Sequence, residues 1–215
     1  MKKFIVSAVW MLLATLSTNA QSEKYLAAMK TNLGALDSSF RNPASLLSLA
    51  NNFERIANAE KNQWLPFYYA AFCQVNYSFM EQDKSKVDAI ADKAAALISQ
   101  ADLLQPGNSE ISCIKSMIAS SRLMVNPMQR YMEFGPESDK QLETAIAQDP
   151  ANPRPHFLKG QGLKYTPEQF GGGCKTAKEE LQKAMDKFNT FKPASEISPD
   201  WGKEMNSKLL NECNQ

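Results

Sequence analysis

The chain has 215 residues, with 24 Lys and Arg against 23 Asp and Glu, and a single histidine. That balance gives no general attraction for nucleic acid or for anionic membrane, so a nucleic-acid partner is not expected. One histidine excludes the common zinc hydrolase patterns, which need two.

Residues 1–20 read as a signal peptide. Lys2 and Lys3 give a positive start, and Phe4 to Leu16 is an apolar run broken only by Ser7 and Thr15. Thr18-Asn19-Ala20 puts small residues at the positions a signal peptidase reads. The run is shorter than the ~20 residues that span a bilayer. Cleavage predicts a mature chain of 195 residues that begins at Gln21 and carries a formal charge of −1. It is expected in the periplasm or outside the cell, without an integral membrane segment. Residues 21–215 contain no low-complexity linker and read as one helical-repeat domain.

Ala, Leu, Met, Lys and Gln dominate and favour helix. The periodicity predicts helices over about 22–38, 43–60, 63–80, 85–104, 109–124, 138–148, 153–164, 174–191 and 200–212. Asn42-Pro43, Asp149-Pro150, Asn152-Pro153 and Ser198-Pro199-Asp200 supply breaks and starts. Trp64, Phe67, Tyr68, Tyr69, Phe72, Tyr77 and Phe79 crowd one helix, as expected of an inner helix packed on nearly all sides.

Small and apolar residues recur every 44 positions. Ala50, Glu54, Ala57 and Asn62 are followed by Ala94, Ile98, Ala101 and Pro106, then by Ser138, Leu142, Ala145 and Pro150. Ala177, Leu181 and Ala184 keep the first three offsets. Such a period marks helical hairpins stacked in a row. The set, with Trp64 early in a first helix, resembles the tetratricopeptide repeat family. The departure is the period, which in that family is near 34. The resemblance implies an all-α right-handed α-solenoid of about four tetratricopeptide-like helix pairs, closed by a C-terminal capping helix. It also implies a concave binding surface, for which Tyr68, Tyr69, Tyr77 and Arg154 are the candidates.

Two turns inside helix pairs are predicted to be long loops, residues 126–137 and 164–173. Both run Tyr, then Phe-Gly, then a helix, which places Tyr165 and Phe170 on the same edge as Tyr131 and Phe134. Phe170-Gly171-Gly172-Gly173 has two readings. One is a packing turn with Phe170 plugged between helices; the other is a backbone nest for a carboxylate or phosphate. A similar Phe-Gly-Gly turn occurs in the periplasmic repeat subunit of TRAP-type solute transporters, a likeness of about ten residues.

His156 is expected to pack in a helix seam. Met124, Met128 and Met132 are spaced by four, a spacing open to Cu(I) or to simple packing. Pro127 is expected to interrupt the helix and keep the sulfurs off a common face, so no metal site is predicted. Four cysteines remain, none in CxxC spacing. Cys174 opens a helix and Cys213 follows the next one, so antiparallel packing brings them within disulfide reach. No GxSxG, nucleotide P-loop or distinctive carboxylate pair is present, so no catalytic residue, cofactor or enzyme is expected. The first expectation is a non-catalytic binding module holding a peptide or partner protein. The second is an accessory solute- or metal-binding protein of a transporter.

Overall fold

The computed structural model describes residues 23–214; the expected signal peptide lies outside the described residues. The chain is all-α, and no strand occurs among the described residues. Helix α1 runs through 23–34 and α2 is the single turn Leu36–Ser39. The others are α3 (Pro43–Ala59), α4 (Trp64–Met80), α5 (Lys84–Leu104), α6 (Ser109–Leu123), α7 (Pro127–Gln148), α8 (Arg154–Tyr165), α9 (Cys174–Thr190) and α10 (Lys203–Glu212). None among the described residues is long and apolar enough to cross a membrane.

Local chemistry sets most of the starts. Asn42, Asp83 and Asn108 each accept a hydrogen bond from the amide two residues on, at Ala44, Ser85 and Glu110. These bonds satisfy donors that a helix leaves unpaired at its first turn. Asn152 does the same for the Arg154 amide at 2.9 Å. The first predicted helix instead breaks at Ala35, directly after Gly34, a poor residue for a helix interior.

The largest departure is at residues 126–137, which are not a loop. Asn126 caps α7 and Pro127 takes its first position, where the missing N–H removes no helical bond. The helix then continues through Gly135 and Pro136. An interior proline normally breaks or kinks a helix. Here the first turns of α7 are fastened to α5, because the Arg130 guanidinium donates to both oxygens of Asp88 at 2.7 Å. Arg122, at the end of α6, pairs with Asp92 of α5 at 2.7 Å. Phe134 lies against both guanidinium groups, at 6.0 and 5.9 Å.

Consecutive helices pack on one another from α2 to α10. Helices α4 and α6 also touch, as do α6 and α8. The 44-residue positions are buried at the seams: Ala50, Ala57, Ala94, Ile98, Ala101, Ser138, Leu142, Ala145, Ala177, Leu181 and Ala184. One apolar core spans α1 to α6 and a second gathers Phe157, Leu181, Phe188 and Leu209 around α8 to α10. Leu158 and Trp201 pack against both.

Bonds across the seams give direction. Ser109 donates to the Ala145 carbonyl at 2.7 Å and Ser116 meets Ser138 at 2.8 Å, so α6 and α7 are antiparallel. Glu110 and Arg154 pair at 2.9 Å, joining the N-terminal turns of α6 and α8. Tyr68, near the start of α4, donates to Glu110 at 3.1 Å. The N-terminal turns of α4, α6 and α8 therefore meet around Glu110. Those turns define an N-terminal edge, and the opposite ends of the same helices a C-terminal edge.

Candidate functional site

The two edges differ in kind. At the N-terminal edge, polar groups are buried and tied together. Arg154 is fully buried; one guanidinium nitrogen donates to Glu110 and another to the Pro199 carbonyl at 2.6 Å. Its guanidinium lies 4.7 Å from the Phe191 ring centre and 5.2 Å from that of Trp201. Asn152 donates to Glu110 at 2.8 Å and to Ser109 at 2.9 Å. The Trp201 indole donates to the Tyr68 hydroxyl at 2.8 Å, and Tyr69 donates to the Ile197 carbonyl at 3.0 Å. Burial pushes the Tyr68 and Tyr69 hydroxyls up, so both remain protonated donors.

This corrects the expectation for Tyr68, Tyr69 and Arg154. They do not line an open groove. Residues 191–202 pack against them: the Ile197 and Pro199 carbonyls accept from Tyr69 and Arg154, and the Trp201 indole donates to Tyr68. Tyr77 stands apart near the C-terminus of α4, half-buried, with its hydroxyl donating to Glu81 at 3.3 Å.

The C-terminal edge exposes apolar side chains instead. Met128 and Met132 are each 83% exposed, Tyr165 69%, Phe170 59% and Tyr131 55%. Phe79 at the end of α4 and Met124 at the end of α6 are also exposed. Met128, Tyr131, Met132 and Gly135 have the i, i+3, i+4, i+7 spacing of one helix face. Pro127 starts α7 rather than interrupting it, so Met128 and Met132 do share a face, contrary to the sequence expectation. Arg130 turns toward Asp88 of α5 and Phe134 lies against the Arg122 and Arg130 guanidinium groups, which leaves that face to solvent. A β-carbon at Gly135 would lie 3.3 Å from the Tyr131 ring, which therefore rests on bare backbone. Exposed apolar side chains grouped on one helix face are often used for binding.

The α8–α9 turn carries Tyr165 and Phe170 to the same edge. Phe170 is not a plug between helices. A 3₁₀ turn over Glu168–Phe170 is followed by Gly171 at φ +83° and Gly173 at φ +86°. The amides of Phe170 and Gly171 donate to Pro167 and Glu168 at 2.9 Å. Those of Gly172 and Gly173 donate to Pro167 at 3.3 Å and Leu163 at 2.9 Å. These four amides are spent within the turn itself. Its glycines serve packing: a β-carbon at Gly172 would stand 2.1 Å from the Thr166 carbonyl oxygen.

Cys174 and Cys213 form a disulfide with Cα atoms 5.0 Å apart, fastening α9 to the end of α10. Cys73 and Cys113 are buried free thiols, both held protonated by burial. His156 bonds through Nδ1 to Glu180 at 2.8 Å. The sequence offered no spacing signal for that pair, which forms across the α8–α9 seam. Among the described residues, no cluster of three or more His, Cys, Asp or Glu is placed to hold a metal ion. The exposure of this α7 face was not read from the sequence, because apolar residues at helical spacing are also the signal of a core.

No family model matches the sequence, and no curated protein matches it. Among solved structures, the chain is similar to the HusA haemophore from Porphyromonas gingivalis, with 38% identity and a TM-score of 0.79. The match covers 88% of this chain and 92% of that one. It overturns the expectation of a module that holds a peptide or partner protein and favours the accessory solute-binding alternative. With that identity over nearly the whole of both chains, the protein belongs to the family of the HusA haemophore.

Proposed function

We propose that this protein is an exported, non-catalytic haem carrier, and that haem docks on the edge formed by the exposed face of α7 and the α8–α9 turn. The likeness to a haemophore over nearly the full length carries the reading. Haem is a flat apolar ring with two carboxylates. The edge offers what such a ring needs: two thioethers, two tyrosine rings and a phenylalanine, already exposed. Thioether and phenol are also ligand types for haem iron. Lys175, exposed on the first turn of α9, stands beside the turn to meet a propionate. We read the helix pairs as a long-period, tetratricopeptide-like right-handed solenoid, which the contacts of α6 with α4 and α8 support. The leader-like residues 1–20 support a periplasmic or secreted carrier that delivers its cargo to a transport system.

Titrating the protein with haem and following the Soret band tests this. Full burial of a methionine contributes about 1.5–3 kcal/mol. Partial burial under one face of a ring makes Met128→Asp and Met132→Asp each weaken binding by roughly tenfold. Leu103→Asp, exposed near the end of α5 and away from this edge, leaves affinity unchanged. Unchanged affinity in a Met128→Asp, Met132→Asp double variant overturns the placement. No haem binding by the wild type overturns the function.

A further inference from the structure

A groove of about 390 Å³ lies between α1 and α3, remote from the haem edge in the chain order of the fold. Its volume is within the range of small-molecule sites, roughly 300–1,000 Å³. Ala28, Ile56 and Ala59 give it an apolar floor, and Tyr25 forms part of the wall. The Tyr25 hydroxyl is shut off from solvent and has no hydrogen-bond partner. Leaving such a group unpaired is costly, and sites of this kind commonly mark a missing ligand. Lys24 of α1, Arg55 of α3 and Glu60 just after α3 also line it. The Arg55 guanidinium is steadied by donating to the Asn52 side chain.

We infer that the α1–α3 groove is a second binding site, for a small amphiphile with a carboxylate head and an apolar body. The apolar body covers Ala28, Ile56 and Ala59. The head reaches Lys24 and Arg55, whose two charges exceed the one of Glu60. A head-group oxygen accepts from the Tyr25 hydroxyl once that side chain turns outward into the groove. That hydroxyl is pushed up to about 12 by burial and by Glu60, so it is a donor throughout the neutral range. Nothing here depends on haem binding at the other edge.

The probe is decanoate, with decanol as its uncharged counterpart, followed by amide chemical shifts on the isotopically labelled exported protein. Decanoate is expected to move signals of α1 and α3 in a saturable way. Decanol is expected to bind at least fivefold more weakly, and Lys24→Gln with Arg55→Gln to weaken decanoate to the same degree. Tyr25→Phe should weaken it further while leaving the fold intact. Absence of saturable shifts in α1 and α3 overturns the site. Equal binding of decanol, or insensitivity to both charge substitutions, overturns the carboxylate assignment. Displacement of decanoate by one equivalent of haem shows that the groove is the haem site, which overturns a second site.

Discussion

Arg154→Ala is the substitution that the structure predicts most sharply. The side chain is fully buried, and its partner Glu110 is nearly so. Truncation removes two charge-assisted hydrogen bonds, at 2.9 Å to Glu110 and 2.6 Å to the Pro199 carbonyl. It leaves the carboxylate with the Tyr68 and Asn152 donors and no opposing charge. Breaking a buried pair this way costs about 3–5 kcal/mol. The lost contact with Phe191 and Trp201 belongs to the same cluster, so its cost overlaps rather than adds. A figure of about 4 kcal/mol is a large share of the ~5–15 kcal/mol that holds an ordinary domain.

Urea denaturation read by tryptophan emission measures this directly. Trp201 reports on residues 191–202, and within residues 21–215 only Trp64 accompanies it. Should Arg154→Ala fail to fold, Arg154→Met with Glu110→Gln keeps the argument testable. Removing both charges together recovers most of the loss, to within about 2 kcal/mol of wild type. A loss below about 1 kcal/mol for Arg154→Ala, or no recovery in the double variant, refutes the reasoning. Haem affinity of the folded variant should be unchanged, since the network lies at the opposite edge from the proposed site.

Other outcomes follow from single features. Gly172→Ala drives a β-carbon to 2.1 Å from the Thr166 carbonyl oxygen, so thermal denaturation should show a larger loss than for Gly171→Ala, where the space is open. Equal losses would mean the turn yields easily. Removing the Cys174–Cys213 bond, which spans 39 positions, should lower stability by up to about 4 kcal/mol on the chain-entropy estimate, measured as the urea midpoint of the double serine variant. Burial raises the Glu180 carboxyl, but the bonds from His156 and Lys183 outweigh it and set it below its usual range. A depressed folded value means stability that is present above the unfolded value of about 4.3 and lost as pH falls through the folded one. Acid unfolding of Glu180→Gln should therefore be less steep below about pH 4, and an identical profile would deny the pair any role.

The seam positions were legible because small residues at helical offsets suit the close approach of helices. Ala94, Ala145 and Ala184 lie where that logic puts them, fully buried. The disulfide was legible for a related reason: antiparallel neighbours bring the start of one helix to the end of the next. Residues 126–137 were misread because Pro127 and Gly135-Pro136 are local breakers. What overrides them is nonlocal, the Arg130–Asp88 and Arg122–Asp92 pairs to α5. Local propensity is a weak prior against such contacts.

The binding surface was misplaced for a different reason. Tyr68 and Tyr69 lie on α4 and Arg154 on α8, and all three are buried. Their burial depends in part on residues 191–202, which have no helical pattern of their own and gave no signal of where they pack. They meet these side chains through Ile197, Pro199 and Trp201, and so convert polar groups that look like ligand contacts into structural ones. The remaining unsatisfied surface is then the opposite edge, where α7 extends beyond its repeat and carries Met128, Tyr131 and Met132 outward. Under the proposed function, a carrier that must surrender its cargo is better served by such an open edge than by a closed pocket. Affinity among related sites is tuned mostly through the rate of release. An enclosing pocket slows that step, and a flat face on one helix leaves the other side of the ring free for a receiver.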